Sequence, residues 1–234
     1  MGANDLNKNI YPMFARVKSL KTKAPAMMSF ADPTMLVDKE RKMLLSWYLG
    51  GPGWDPLPAI LSVIRKAQGK CGAKHVAFLG GSGGGFAALR ASAMVRGSMA
   101  FVQDPQTNIA KYSKRVSSTY FETVWKGWSS SSLMTAFPER FDMTRHYRVA
   151  QPENFVYYAQ NATDTVHVNN HLAPFKEACG ITRDDPVIRG QKRVINVYDG
   201  EVSGHGKITP PDEFDRFYAD AVSEWRRYRE RLRF

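Results

Sequence analysis

The segment Lys74–Met94, KHVAFLGGSGGGFAALRASAM, constrains this chain more than any other stretch. An apolar run, His75 to Leu79, enters a glycine-packed turn around Ser82, and a small-residue helical pattern follows. That order predicts a buried strand, a sharp turn and a helix, the repeating unit of an α/β architecture. Gly80-Gly81-Ser82-Gly83-Gly84 fits G-x-S-x-G, in which a serine is displayed at a strained strand-to-helix turn. Glycines suit such a turn because they remove Cβ clashes and tolerate positive φ. The serine oxygen then lies at a helix N-terminus, where the Gly83 N–H is free to stabilise a developing oxyanion.

Other uses of the same turn stay open. Gly83-Gly84-Gly85-Phe86-Ala87-Ala88 fits a relaxed dinucleotide pattern, and Asp104 ends the next apolar run, as a ribose-binding acid would. A P-loop fits less well, because no Gly-Lys-Ser/Thr follows the glycines. A close-packed turn without chemistry is the plainest alternative.

Downstream residues favour the serine. A serine nucleophile needs a base, and the base needs an orienting carboxylate. Asn154–Ala159 reads as a buried strand that runs into the polar turn Gln160–Asp164. Lys192–Tyr198 reads as a further strand, followed by DGEVSGHG with His205 between two glycines. Ser82, Asp164 and His205 thus occur in the order Ser, acid, His, each after a strand. Ligands of open α/β sheets gather at the strand carboxyl ends. Asp164 also suits the N-cap of the following helix, and Asp199 is the substitute acid. His167 and His171, four apart on that helix, could share a face, but the segment reads HVNNH and lacks the Glu of H-E-x-x-H. Packing or substrate contact is expected of them. His75 and His146 attract no chemical assignment.

With these residues in view, the chain from about Pro25 onward resembles the α/β-hydrolase superfamily. The carriers are GGSGGG at the turn, NATD after the penultimate predicted strand and SGHG after the last. The resemblance implies an eight-stranded sheet or a reduced version, helices on both faces, and hydrolysis of esters or related acyl groups. Many serine esterases of that superfamily act on acylated sugars and polysaccharides. Two features depart from the pattern: little room exists before Pro25 for the N-terminal hairpin, and no HGGG-type oxyanion motif occurs. The chain reads as a trimmed hydrolase or a piece of a longer one. The second oxyanion donor is expected near Phe30-Ala31-Asp32, with Ala31 the assigned residue.

Composition agrees with a globular enzyme. The chain has 234 residues, 43% of them hydrophobic, enough for one α/β domain spanning 1–234. No run approaches a membrane span, and MGANDLNKN lacks a signal-peptide pattern, so a cytoplasmic setting is expected. Cys71 and Cys179 do not make a disulfide framework. The net charge of +11 raises nucleic acid as a partner. Its densest patch, Arg226, Arg227, Arg229, Arg231 and Arg233, ends a helix without any nucleic-acid motif. A solvated face is the simpler reading, with steering of an anionic substrate as its functional version. The expected partner is a small-molecule or polysaccharide ester, and neither a cofactor nor a metal is expected. Oligomeric state is not legible.

The remaining pattern alternates strands and helices. Ala26–Phe30 and Leu44–Leu49 read as strands before the turn, Pro56–Gln68 as a helix and Ser98–Val102 as a strand. A helix is predicted near Val168–Cys179. A final helix carries Phe214, Phe217, Tyr218, Ala221, Val222, Trp225 and Tyr228 on one stripe, with Thr209 as N-cap. Two strands before the turn count against the dinucleotide reading, whose fingerprint usually sits on a first strand. Residues 107–152 read as a cap-like insertion. Its aromatic residues Tyr112, Tyr120, Phe121, Trp125, Trp128 and Phe137 would either offer faces to sugars or anchor the insertion. The expected function is ester cleavage through an acyl-enzyme on Ser82, with transfer to another alcohol equally compatible with the residues. A hydrolase-like scaffold that binds a glycan or a protein without catalysis is the alternative from a different class.

Overall fold

A computed structural model of the chain describes residues 11–14, 17–200, 204–205 and 209–232. The N-terminal MGANDLNKN, the Ser203 and Gly206 neighbours of His205, and Arg233 lie outside the described residues.

The architecture is α/β: a five-stranded, mostly parallel sheet flanked by helices. Strands β1 (Ala77–Gly81), β2 (Met99–Gln103), β3 (Phe155–Asn161), β4 (Val187–Arg189) and β5 (Arg193–Tyr198) lie in the order β1-β2-β3-β5-β4. Only the β4–β5 pair is antiparallel. Parallel register sets Gly81 against Gln103, Gln103 against Ala159, and Asn161 against Tyr198. The carboxyl ends of four strands therefore share one rim, which collects the loops carrying Ser82, Asp104, Asp164 and His205.

The pleat sends alternate side chains to opposite faces. Ala100, Val102, Val156, Tyr158 and Ile195 meet the elbow helix (Ser82–Ala93) and the helices of the middle segment. Met99, Phe101, Phe155, Tyr157 and Val194 meet the C-terminal helix (Pro211–Arg231) through Phe214, Phe217, Ala221, Trp225 and Tyr228. Each large apolar side chain in that stripe contributes roughly 2 kcal/mol on burial. The helix Pro56–Cys71 starts on Asp55, whose side chain accepts from the Leu57 N–H, and stops at left-handed Gly72. Cys71 and Cys179 are free thiols. Among the described residues, no helix is long and apolar enough to cross a membrane.

Several expectations need correction. Ala26–Phe30 forms no strand, and Met27 and Met28 face solvent. Leu44–Leu49 is buried but turns: Trp47 and Tyr48 adopt φ of 51° and 57°, which a strand cannot accommodate. A buried carboxylate holds this turn, since Asp32 accepts from the Ser46 hydroxyl at 2.8 Å and the Tyr48 N–H at 2.6 Å. The apolar run is thus a core loop. Consequently β1, the strand leading into Ser82, is the first strand among the described residues and stands at a sheet edge, so strand order does not argue against a dinucleotide site. The three-residue β4 intervenes before β5, so the Asp164 strand is not the penultimate one. The segment Thr165–Ala178 is helical but broken by a π turn at Val168–Leu172. Pro210, not Thr209, precedes the last helix; Thr209 is buried and accepts from Gln103 Nε2 at 2.9 Å.

Residues 107–152 supply helices at Lys114–Val124, Ser130–Ala136 and Met143–Ala150. Tyr120, Phe121 and Trp125 are buried anchors in the core, whereas Trp128 is exposed. Arg140 ties this segment to the Leu49–Trp54 loop through the carbonyls of Leu49, Gly51 and Trp54. On the last helix, Arg227 pairs with Glu224 at 3.0 Å and Arg229 stacks over Trp225. The Trp225 indole donates to the Gly97 carbonyl, before β2 begins. The arginines thus cluster at the rim opposite Ser82.

Candidate active site

Ser82 leaves β1 with φ of 51° and opens the elbow helix after Gly81. Two glycines permit this close approach. A Cβ at Gly80 would lie 2.1 Å from the Gly84 carbonyl oxygen, and one at Gly83 would lie 2.5 Å from Leu45 Cδ1. The Gly83 N–H belongs to the first helical turn, which has no intrahelical acceptors.

His205 comes from the loop after β5. Three strand spacings, about 14 Å, separate β5 from β1. Six residues from Asp199 to His205 can span roughly 20 Å, so the loop reaches. Ser82 Oγ and His205 Nε2 are 2.8 Å apart, and His205 Nδ1 and Asp164 Oδ2 are 2.8 Å apart. Asp164 also caps its helix: Oδ1 accepts the His167 N–H at 3.1 Å. Capping and contact with His205 therefore coexist on one carboxylate. Asp199, the substitute acid, is exposed. Asn161 ties the two loops together, because its Oδ1 accepts from the Thr163 and Gly200 N–H groups at 3.0 and 3.2 Å.

His167 lies flat against His205, ring centroids 3.8 Å apart and planes within 5°. Burial, reinforced by His205, pushes the His167 pKa down to about 4. His171 is fully buried, 4.7 Å from the His167 ring, and burial pushes its pKa down to about 3. Its Nδ1 accepts the Thr107 N–H at 3.2 Å. Both rings are neutral at pH 7, and His167 Nδ1 also lies 3.0 Å from Asp164 Oδ2, the oxygen that faces His205. Ligand atoms of Asp164, His167 and His205 lie within 4.8 Å of one another, close enough for a cation. Such an ion would occupy the Asp164 and His205 atoms that already face each other. His75 packs edge-on to Trp225, far from this rim, and His146 packs on Tyr147.

Sequence reasoning missed Gln106. This fully buried side chain donates from Nε2 to Ser82 Oγ at 2.9 Å, and its backbone N–H donates to the Ser82 carbonyl at 3.2 Å. No motif marks it; the only signal was the Asp-Pro-Gln turn ending β2. Ala31 loses its rationale because the strand that would lead into it does not form. Its neighbour Asp32 instead holds the Ser46–Tyr48 turn. Asp104 faces inward: Oδ1 accepts the Asn161 N–H at 2.7 Å and Gln160 Nε2 at 2.9 Å, leaving it poorly placed for a ribose.

No family model matches this chain, and no curated protein matches it. Two solved structures do. One is a capsule O-acetyltransferase of Neisseria meningitidis serogroup A, with 16% identity, a TM-score of 0.58, and 95% of this chain covering 81% of that one. The other is that enzyme in complex with caged gadolinium, with 16% identity, a TM-score of 0.57, and coverage of 94% and 79%. At this identity the likeness is one of fold.

Proposed function

We propose that this chain is an acyl-group enzyme of α/β-hydrolase type, working through an acyl-enzyme on Ser82 and acting on acyl or acetyl esters of carbohydrates. The observation that carries this reading is the hydrogen-bonded line Ser82–His205–Asp164, assembled from three strand ends. Gln106 donates to Oγ, so the serine hydroxyl proton is directed at His205 Nε2. His205 then carries its remaining proton on Nδ1, facing Asp164 Oδ2.

In the proposed sequence, Oγ attacks the acyl carbonyl carbon as its proton passes to Nε2. Asp164 stabilises the imidazolium. The Gly83 N–H donates to the carbonyl oxygen as negative charge develops on it. Collapse breaks the bond to the leaving oxygen, which takes the proton from His205. A second hydroxyl, activated by the same imidazole, attacks the acyl-enzyme and releases Ser82. Water gives hydrolysis; a sugar hydroxyl gives transfer. The O-acetyltransferase likeness favours the sugar hydroxyl as the second nucleophile. Residues 107–152 act as the cap, with Tyr112 set edge-on to the His205 ring at 6.1 Å.

The test is labelling with a fluorophosphonate, together with turnover of p-nitrophenyl acetate in the presence and absence of oligosaccharide acceptors. Ser82→Ala should abolish both labelling and turnover while the fold is retained. Acceptor-dependent acceleration assigns transfer. Undiminished turnover in Ser82→Ala would end this reading.

A further inference from the structure

We infer that the Gln106 carboxamide is the second oxyanion donor, replacing a backbone N–H in that role. The inference rests on the acyl-enzyme reading above and adds a residue to it.

The geometry of the side chain carries the argument. Its Nε2 stands 2.9 Å from Ser82 Oγ. In a tetrahedral adduct on Ser82, the oxyanion and Oγ share one carbon and lie little more than 2 Å apart, about two bond lengths across a tetrahedral angle. A donor already on Oγ therefore stands within reach of the oxyanion without leaving its place. Once Oγ becomes an ester oxygen it is a weak acceptor, so the N–H has its better partner in the carbonyl oxygen.

The carboxamide is also held in the donating orientation. Trp47 Nε1–H can only donate, and it meets Gln106 Oε1 at 2.5 Å. The amide nitrogen must therefore face Ser82. Trp47 is fully buried and wedged edge-on against Tyr120 and Tyr112, with centroids 5.6 and 6.3 Å away. Its left-handed turn is held by Asp32. The Tyr112 phenol neighbours the same carboxamide, and its ring stands edge-on to His205 at 6.1 Å. A buried, clamped donor costs no reorganisation when charge develops, the property an oxyanion site requires. The sequence carries no HGGG-type motif, and the strand expected before Ala31 does not form.

The test compares Gln106→Glu with the wild type. Ionised glutamate keeps the acceptor for Trp47 and removes the donor, so turnover is compared at pH 7 to 9, where a protonated carboxyl would show as activity lost with rising pH. Turnover of p-nitrophenyl acetate should fall about 100-fold or more in kcat, with KM nearly unchanged, and fluorophosphonate labelling should slow in parallel. Trp47→Phe serves as the second variant, since it removes only the clamp. It should lower kcat about tenfold, the worth of one net hydrogen bond. A Gln106→Glu enzyme within threefold of wild type, beside an inactive Ser82→Ala, overturns the inference and leaves the serine reading intact. If Gln106→Glu does not fold, an unchanged kcat in Trp47→Phe overturns it. A wild type that neither labels nor turns over overturns both readings.

Discussion

Replacing Asp104 by asparagine should change how stability depends on pH. The Asp104 carboxylate ends β2, with Asn161 and Gln160 on Oδ1 and the Tyr198 hydroxyl 3.4 Å from Oδ2. The charges of Asp164 and His205 also act on it. Burial pushes its pKa up to about 6 from 3.8, against the pull of the Asn161 hydrogen bond and His205. Between these values the folded chain binds more protons than the unfolded chain. Stability therefore rises as pH falls through this window. Integrated from pH 7.5 to pH 5, this one group adds about 1.4 kcal/mol to the wild type. Asparagine cannot titrate, yet its Oδ1 can accept both Oδ1 bonds. The stability of Asp104→Asn minus that of wild type should thus drop by about 1.4 kcal/mol over that interval, whatever its value at pH 7.5. Urea unfolding at the two pH values, read as midpoint times m-value, measures it. A difference that stays constant, or grows toward pH 5, would refute the assignment of a half-buried, proton-hungry carboxylate.

His167→Phe should move the opposite way. The ring is retained against His205, but the titration is lost. In the wild type, the unfolded histidine takes up a proton near 6.5 and the folded one near 4, so folding is disfavoured as pH falls between them. The variant should gain about 2 kcal/mol on wild type from pH 7.5 to pH 5 in the same urea assay. Asp164→Asn keeps the helix cap through Oδ1 but removes the charge facing His205. The proposed relay then predicts a kcat lower by about 10⁴-fold with a melting temperature close to wild type, checked by p-nitrophenyl acetate turnover and calorimetry.

Much of the site could be read from residues because its members follow strands. Glycine density around Ser82 and the polar breaks after β3 and β5 are local signals, and local signals survive in a single sequence. The buried loop at Leu44–Leu49 was misread for a physical reason: apolar composition reports burial, not backbone shape, and here Asp32 supplies the hydrogen bonds a strand would have found in a neighbour. β4 is three residues long with one buried side chain, too short to show a period. Gln106 was invisible because its meaning comes from Trp47, 59 positions away, and from Ser82, 24 away. Thr209 looked like a cap because threonine before proline often is one; its hydroxyl is instead engaged by Gln103.

The pairing of Ser82 with His205 spans 123 positions. During synthesis the serine emerges well before the imidazole exists, and a domain folds as a unit. A chain that stops short of the β5 loop therefore carries the serine without the imidazole that faces it in the folded domain. The proposed acyl chemistry thus waits on the β5 loop, the last of its three parts to be made.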